Sequence, residues 1–87
     1  MNQRKLLKKI LAGSKNVRFD DLVTLIEAFG FRLARTSGSH HIFAHADVPE
    51  LVNIQNVKGK AKLYQIRQFL EILEQYNLTL GDRKSVV

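Results

Sequence analysis

The sequence predicts a small α+β domain in which helices pack against a three-stranded antiparallel sheet. Three observations support this: apolar residues at helical spacing near both ends, alternating apolar and polar residues in the middle, and turn-forming residues between the alternating stretches. The predicted order is α, α, β, β, β, α. A chain of 87 residues fits one domain with a small core, which excludes a large substrate cavity.

Two helices are predicted before the sheet. The first covers residues 3–12 and carries a narrow apolar stripe made of Leu6, Leu7, Ile10 and Leu11. Its opposite face is rich in lysine, and we expect the apolar stripe to pack on its own domain. The second runs from about residue 18 to 29, with acidic residues at the positive end of its dipole and Gly30 suited to follow its last turn.

Three short strands and a last helix are predicted after Gly30. Phe31 and Leu33 alternate with polar or small neighbours, as in a half-buried strand. The second and third strands are predicted over residues 40–45 and 51–57, the turns over 36–39 and 47–50, and the last helix over about 61–76. The chain then divides into a basic helical extension (1–16), one domain (17–78) and a tail (79–87).

Positive charge is concentrated in two blocks. Lys and Arg outnumber Asp and Glu by 14 to 8, and neither residues 1–18 nor residues 58–67 contain an acid. Such blocks suit a phosphate backbone, because each cation that neutralises a phosphate releases condensed counterions. A solvated basic surface is the alternative interpretation.

The composition excludes several classes of protein. Because the chain has no cysteine, it can form no disulfide scaffold, thiolate zinc site or thiol nucleophile. The basic N-terminus lacks the apolar core of a signal peptide, and no apolar run approaches the roughly 20 residues that span a membrane. We therefore expect a cytoplasmic protein that does not bind a membrane.

All three histidines lie between residues 40 and 45. Neighbours on a strand point to opposite faces, which separates His40 from His41, and His41 and His45 lie about 13 Å apart at roughly 3.3 Å per residue. No metal site is therefore expected. General acid–base chemistry remains, and RNA suits it because a base can deprotonate the 2′-hydroxyl that attacks the adjacent phosphate. An ordinary histidine at a strand edge is the open alternative for His40.

One segment resembles a known family. Phe29-Gly30-Phe31 followed by Arg35-Thr36-Ser37-Gly38-Ser39-His40-His41-Ile42-Phe43 is similar to the central signature of HicA toxins. The similarity runs from about Val17 to Tyr76 and includes the order of elements. It implies a fold like the double-stranded-RNA-binding domain.

The resemblance also implies a function. It implies an endoribonuclease toxin that cleaves mRNA without a metal or other cofactor, and a HicB-type antitoxin as its partner. His40 falls at the essential histidine of the family, while Ser39 and His41 receive supporting roles; for Ser39 a plain turn residue is the alternative. Many members carry Pro-x-His in the third strand, where this chain has Ile54-Gln55-Asn56, so a second imidazole is absent.

Lys58, Lys60 and Lys62 are predicted to open the last helix. They are similar to the lysine cluster by which double-stranded-RNA-binding domains hold phosphates, and a basic loop kept for solubility is the alternative. Arg35 is a fourth phosphate-binding candidate, although it shares the parity of Leu33, and this leaves its exposure open.

The pattern does not decide which face of the second strand is buried. Ile42 shares the face of His40, whereas Phe43 belongs to the other face. Three functions stay in competition: an endoribonuclease silenced by an antitoxin, a non-catalytic RNA- or DNA-binding module, and a protein-binding domain whose charge serves an acidic partner.

Overall fold

The computed structural model describes residues 2–80. Its elements are α1 (Gln3–Leu11), α2 (Phe19–Ala28), β1 (Arg32–Ser37), β2 (His40–His45), β3 (Val48–Val57), β4 (Lys60–Ala61) and α3 (Leu63–Gln75). The predicted α+β class is confirmed, and the order of helices and strands is compatible with a double-stranded-RNA-binding-domain-like fold. A very short fourth strand joins the predicted three, and most of the predicted tail falls outside the described residues.

The strands form one antiparallel sheet in the order β1-β2-β3-β4. A two-residue turn joins β3 to β4, and both of its residues have positive φ, 54° at Lys58 and 83° at Gly59. Positive φ at both positions gives the twist that closes a hairpin. The prediction that Lys58 and Lys60 open the last helix is therefore wrong: they belong to this hairpin, and Lys62 is the residue that precedes α3.

The turn predicted over residues 47–50 is also misplaced. His45 pairs with Val48, so the turn consists of residues 46 and 47 and β3 already includes Pro49. β4 pairs with β3 only at Asn56 and Val57, which leaves the beginning of β3 at an edge of the sheet. Proline is tolerated there because its missing N–H is not needed by a neighbouring strand.

β1 is more exposed than its alternating pattern predicts. All six of its residues are exposed, and Leu33, expected to be half-buried, keeps 49% of its surface accessible. Phe31, just before the strand, enters the core instead. The physical reason is position: β1 lies at the sheet edge farthest from β3 and β4, the strands that α2 and α3 contact.

One hydrophobic core joins all three helices to one side of the sheet. Phe69 of α3 lies at its centre and contacts Phe29 and Phe31 edge to face, with centroids 5.9 and 5.8 Å apart. Only part of the predicted apolar stripe of α1 packs inward: Leu6 and Ile10 are buried against the same core and Leu7 is partly buried, whereas Leu11 is exposed. Within residues 2–80, no helix covers the opposite side of the sheet.

Candidate functional site

The two faces of β2 separate its histidines. Phe43 is buried among the helices, and His41 and His45 share its face by alternation. The ring of His41 contacts Phe19 edge to face at 4.8 Å, and that of His45 contacts Phe31 at 4.9 Å. His40 and Ile42 therefore point to the opposite side, which answers the question that the sequence left open.

We call the side of the sheet away from the helices the open face. Residues paired across neighbouring strands share a face, so the register of β1, β2 and β3 identifies its members. Two rows run across the three strands: Ser37, His40 and Gln55 in the first, and Arg35, Ile42 and Asn53 in the second. No acidic residue stands in either row.

A β-bulge at Ala34 decides the direction of Arg35. The register shifts between Leu33 and Arg35, so that Arg32 pairs with Ala44 and Arg35 with Ile42. In an unbroken ladder Arg35 would stand opposite His41 and point toward the helices. The bulge places Arg35 on the open face together with Arg32, and both are exposed.

Asn53 holds the ring of His40. Its Oδ1 lies 3.2 Å from His40 Nδ1 across the β2–β3 pairing. Because an amide oxygen can only accept, this hydrogen bond requires a proton on Nδ1 and leaves the lone pair of the neutral ring on Nε2. Asn53 could not be identified from the sequence, since only the register of two strands brings it diagonally next to His40.

The turn before β2 is fixed to β3 through Ser39. Its carbonyl accepts the backbone N–H of Asn56 at 3.0 Å, and its hydroxyl accepts from Gln55 Nε2 at 3.3 Å. On the helix side, His41 Nδ1 donates to the same carbonyl at 3.3 Å. Ser39 thus lies beside His40, whereas the ring of His41 is on the other side of the sheet.

The structure brings the two basic blocks of the sequence together. The segment before α2 pairs with the β3–β4 hairpin: Arg18 bridges Lys60, Phe19 N–H donates to Gly59 at 2.9 Å, and Ala61 N–H donates to Val17 at 3.1 Å. The ammonium of Lys60 also donates to Asn16 Oδ1. Nothing in the periodicity of the sequence indicated this pairing.

The three predicted lysines are exposed and lie near one end of the sheet. Lys58 is in the hairpin turn, Lys60 is in β4, and Lys62 precedes α3 with its ammonium 5.9 Å from the centroid of Tyr64. His40 pairs with Gln55, only three residues before Lys58, so the lysines and His40 occupy the same end of the sheet. Arg35 stands on the far side of His40, on β1.

Other polar features lie away from this region. Tyr76 donates its hydroxyl proton to Glu50 at 2.5 Å, and this hydrogen bond raises the pKa of Tyr76 above its ordinary value.

Among residues 2–80, no group of three His, Cys, Asp or Glu side chains is placed to hold a metal ion. Within the same residues, no helix is long and apolar enough to cross a membrane.

Known proteins resemble this chain at the level of one family model. No curated protein and no solved structure matches the chain. The sequence model of one family, described as the HicA toxin of bacterial toxin-antitoxin, matches residues 19–77, more than half of the chain. That range begins with α2 and includes the sheet and α3, and therefore the open-face residues around His40. The chain belongs to the HicA toxin family of bacterial toxin–antitoxin systems.

Proposed function

We propose that this chain is the toxin of a type II toxin–antitoxin system and acts as a metal-independent endoribonuclease on mRNA, with His40 as its catalytic base. The observation that carries the proposal is the placement of His40: Asn53 orients its ring on the helix-free face, close to exposed cations. A base with a free ring nitrogen and nearby positive charge meets the minimum requirement for phosphodiester cleavage in RNA.

The proposed reaction is an internal transesterification. His40 Nε2 takes the proton of a ribose 2′-hydroxyl, whose oxygen attacks the adjacent phosphorus as the bond from phosphorus to the 5′-oxygen breaks. The products are a 2′,3′-cyclic phosphate and a 5′-hydroxyl. Asn53 Oδ1 accepts a hydrogen bond from the N–H at Nδ1, and this keeps the lone pair of Nε2 available as the base.

Water protonates the leaving 5′-oxygen in this proposal. The other two histidines, His41 and His45, point to the helix side and contact phenylalanine rings, so neither can serve as the acid. Without a positioned acid, one part of the usual acid–base enhancement is lost, and we expect slow turnover.

Supporting residues hold the phosphate and the turn. Lys58, Lys60, Lys62 and Arg35 supply positive charge for RNA phosphates. Ser39 can donate its hydroxyl proton to a phosphate oxygen, because the hydroxyl uses its oxygen as the acceptor for Gln55. His41 contributes indirectly, by its contact with the carbonyl of Ser39.

The partner in this proposal is a HicB-type antitoxin that silences the enzyme by covering the open face. Because the substrate is mRNA, the protein would act in the cytoplasm. Coverage of the open face would hide His40 and Arg35 together, since both lie on one side of the sheet.

Cleavage of RNA by the purified protein in EDTA tests the proposal. We expect wild type to cut an unstructured mRNA fragment, and His40→Ala to be slower by about 10²- to 10⁴-fold. A substrate with 2′-deoxyribose at the cut position should resist cleavage. Cleavage that survives either change would contradict the role of His40 or the transesterification.

A non-catalytic RNA- or DNA-binding module is the second candidate. It is favoured by the same cations together with the lack of a second imidazole on the open face. The outcome that selects it is salt-dependent binding to nucleic acid by a protein that leaves RNA intact.

A further inference from the structure

Resting on the proposed function, we propose that the open face binds one RNA strand on both sides of His40 through two cation clusters. The β1 cluster consists of Arg32 and Arg35. The β4 cluster consists of Arg18 and Lys60. The path would cross the sheet diagonally, with the scissile phosphate at His40 between the clusters.

The β1 cluster depends on the bulge at Ala34. Arg32 pairs with Ala44 and Arg35 with Ile42, so each arginine side chain leaves the backbone beside a small or apolar side chain. Neither neighbour has a side chain that can accept a hydrogen bond, so neither competes with a phosphate oxygen for the guanidinium donors. Both arginines are exposed.

The β4 cluster shares the open face, as the pairing across three chain segments shows. Val57 follows Asn53 and Gln55 at intervals of two residues and therefore shares their face. Val57 pairs with Lys60, and Lys60 pairs with Arg18, so all three point to the same side. Val17 and Ala61, on the opposite side, are buried, as this assignment requires.

The two clusters lie in opposite directions from His40. At about 4.8 Å per strand spacing and about 3.3 Å per residue, the Cα atoms of Arg35 and Lys60 lie about 8 and about 12 Å from that of His40. The same spacings put Arg32 and Arg18 about 28 Å apart. This length accommodates several nucleotides of a single strand.

Charge and chemistry favour RNA over an acidic protein as the occupant. The cations flank the one histidine on this face rather than forming a separate patch. Transesterification needs the 2′-oxygen in line with the leaving 5′-oxygen, a geometry that a flexible single strand can reach when it is held on both sides of the cut. Asp20 and Asp21, the acids next to Arg18 in sequence, belong to α2 on the helix side.

RNA binding in the His40→Ala background tests the inference without cleavage. One double variant, Arg32→Gln/Arg35→Gln, removes the β1 cluster, and another, Arg18→Gln/Lys60→Gln, removes the β4 cluster. The matched control, Arg4→Gln/Lys5→Gln, removes two exposed cations from the beginning of α1. Affinity for a single-stranded oligonucleotide is measured by fluorescence anisotropy at several salt concentrations, and circular dichroism checks folding.

The slope of log affinity against log salt is negative, and each cluster variant should reduce its magnitude by about 1.4. Each cation that neutralises a phosphate of a single strand contributes about 0.7, and each variant removes two cations. The control should keep the slope of the parent. Equal slopes in cluster and control variants would overturn the inference, and a change in only one cluster would overturn the two-sided path. Unchanged RNA binding with weakened binding to polyglutamate would instead indicate an acidic protein partner.

These outcomes are independent of the proposed enzyme activity. If wild type fails to cut RNA while both clusters still set the salt slope, the catalytic proposal fails and the binding path stands. If wild type cuts RNA and neither cluster affects the slope, the catalytic proposal stands and the proposed binding path fails.

Discussion

The two faces of β2 carry three side chains each, and they differ in environment. On the helix face, His41 and His45 flank the buried Phe43, and each ring contacts a phenylalanine. On the open face, His40 is held by an amide from β3 and has cations on both sides. One residue type thus has a packing role on one face and a proposed chemical role on the other, because strand alternation decides what each ring contacts.

The largest expected effect is a reciprocal pattern between adjacent histidines. His40→Ala should reduce cleavage by about 10²- to 10⁴-fold and change the free energy of unfolding by less than about 0.5 kcal/mol. His41→Ala should lower cleavage per folded molecule far less than His40→Ala does, because its role is indirect, and should lower stability by about 1 kcal/mol, since it removes the ring contact with Phe19. Cleavage assays and urea unfolding measure the two quantities. Loss of activity in a stable His41→Ala protein would break the comparison.

The next largest effect concerns the neighbours Phe43 and Ile42. Phe43→Ala should lower the free energy of unfolding by about 3–5 kcal/mol, because the ring is 1% exposed in the core. Ile42→Ala, on the open face, should cost about 1 kcal/mol or less. Urea denaturation gives both values, and similar losses would mean that the open face is packed against something in solution.

Substitutions at two glycines with nearly equal φ distinguish the cost of backbone strain from the cost of side-chain crowding. Gly13 (φ 94°) has no neighbour near the position of a Cβ, whereas a Cβ at Gly30 (φ 97°) would lie 3.0 Å from His45 Nε2. Gly13→Ala should therefore cost about 1–2 kcal/mol from the left-handed backbone alone, and Gly30→Ala more. Thermal unfolding of both variants measures the difference. Equal losses of stability in the two variants would show that the His45 ring moves aside at no cost.

The smallest expected effect is a shift in the pH dependence of cleavage. In Asn53→Asp a carboxylate would face Nδ1 of His40 and stabilise the protonated ring. Because the base must be unprotonated, the acidic limb of the rate profile should move to higher pH. Asn53→Ala serves as the control, with a lower rate and no such shift. An unmoved limb in Asn53→Asp would count against His40 as the base.

The helices and the order of strands could be predicted because their signals are local. Leu22 and Ile26 lie one helical turn apart, and the alternation of Phe31 and Leu33 with their neighbours indicates a strand by itself. The pairing of Arg18 with β4 could not be predicted, since a two-residue strand has no measurable period. The bulge at Ala34 adds one residue to an alternating pattern, so every parity assignment after it, including that of Arg35, was open.

The site was predicted only in part for a related reason. His40 and the lysines could be named as candidates from residue type, position along the chain and the resemblance to a family, all of which one sequence provides. Asn53 needed the register between β2 and β3, and the face of Arg35 needed the bulge in β1. Such contacts depend on long-range geometry that no short window of the sequence contains.

The bulge at Ala34 has a consequence for solubility. β1 is an edge strand, and its free backbone groups and the exposed Leu33 could pair with another chain. A bulge twists such an edge away from a flat partner, and two arginines beside it repel a second copy. The irregularity that turns Arg35 toward the open face therefore also protects the sheet from growing by edge-to-edge aggregation.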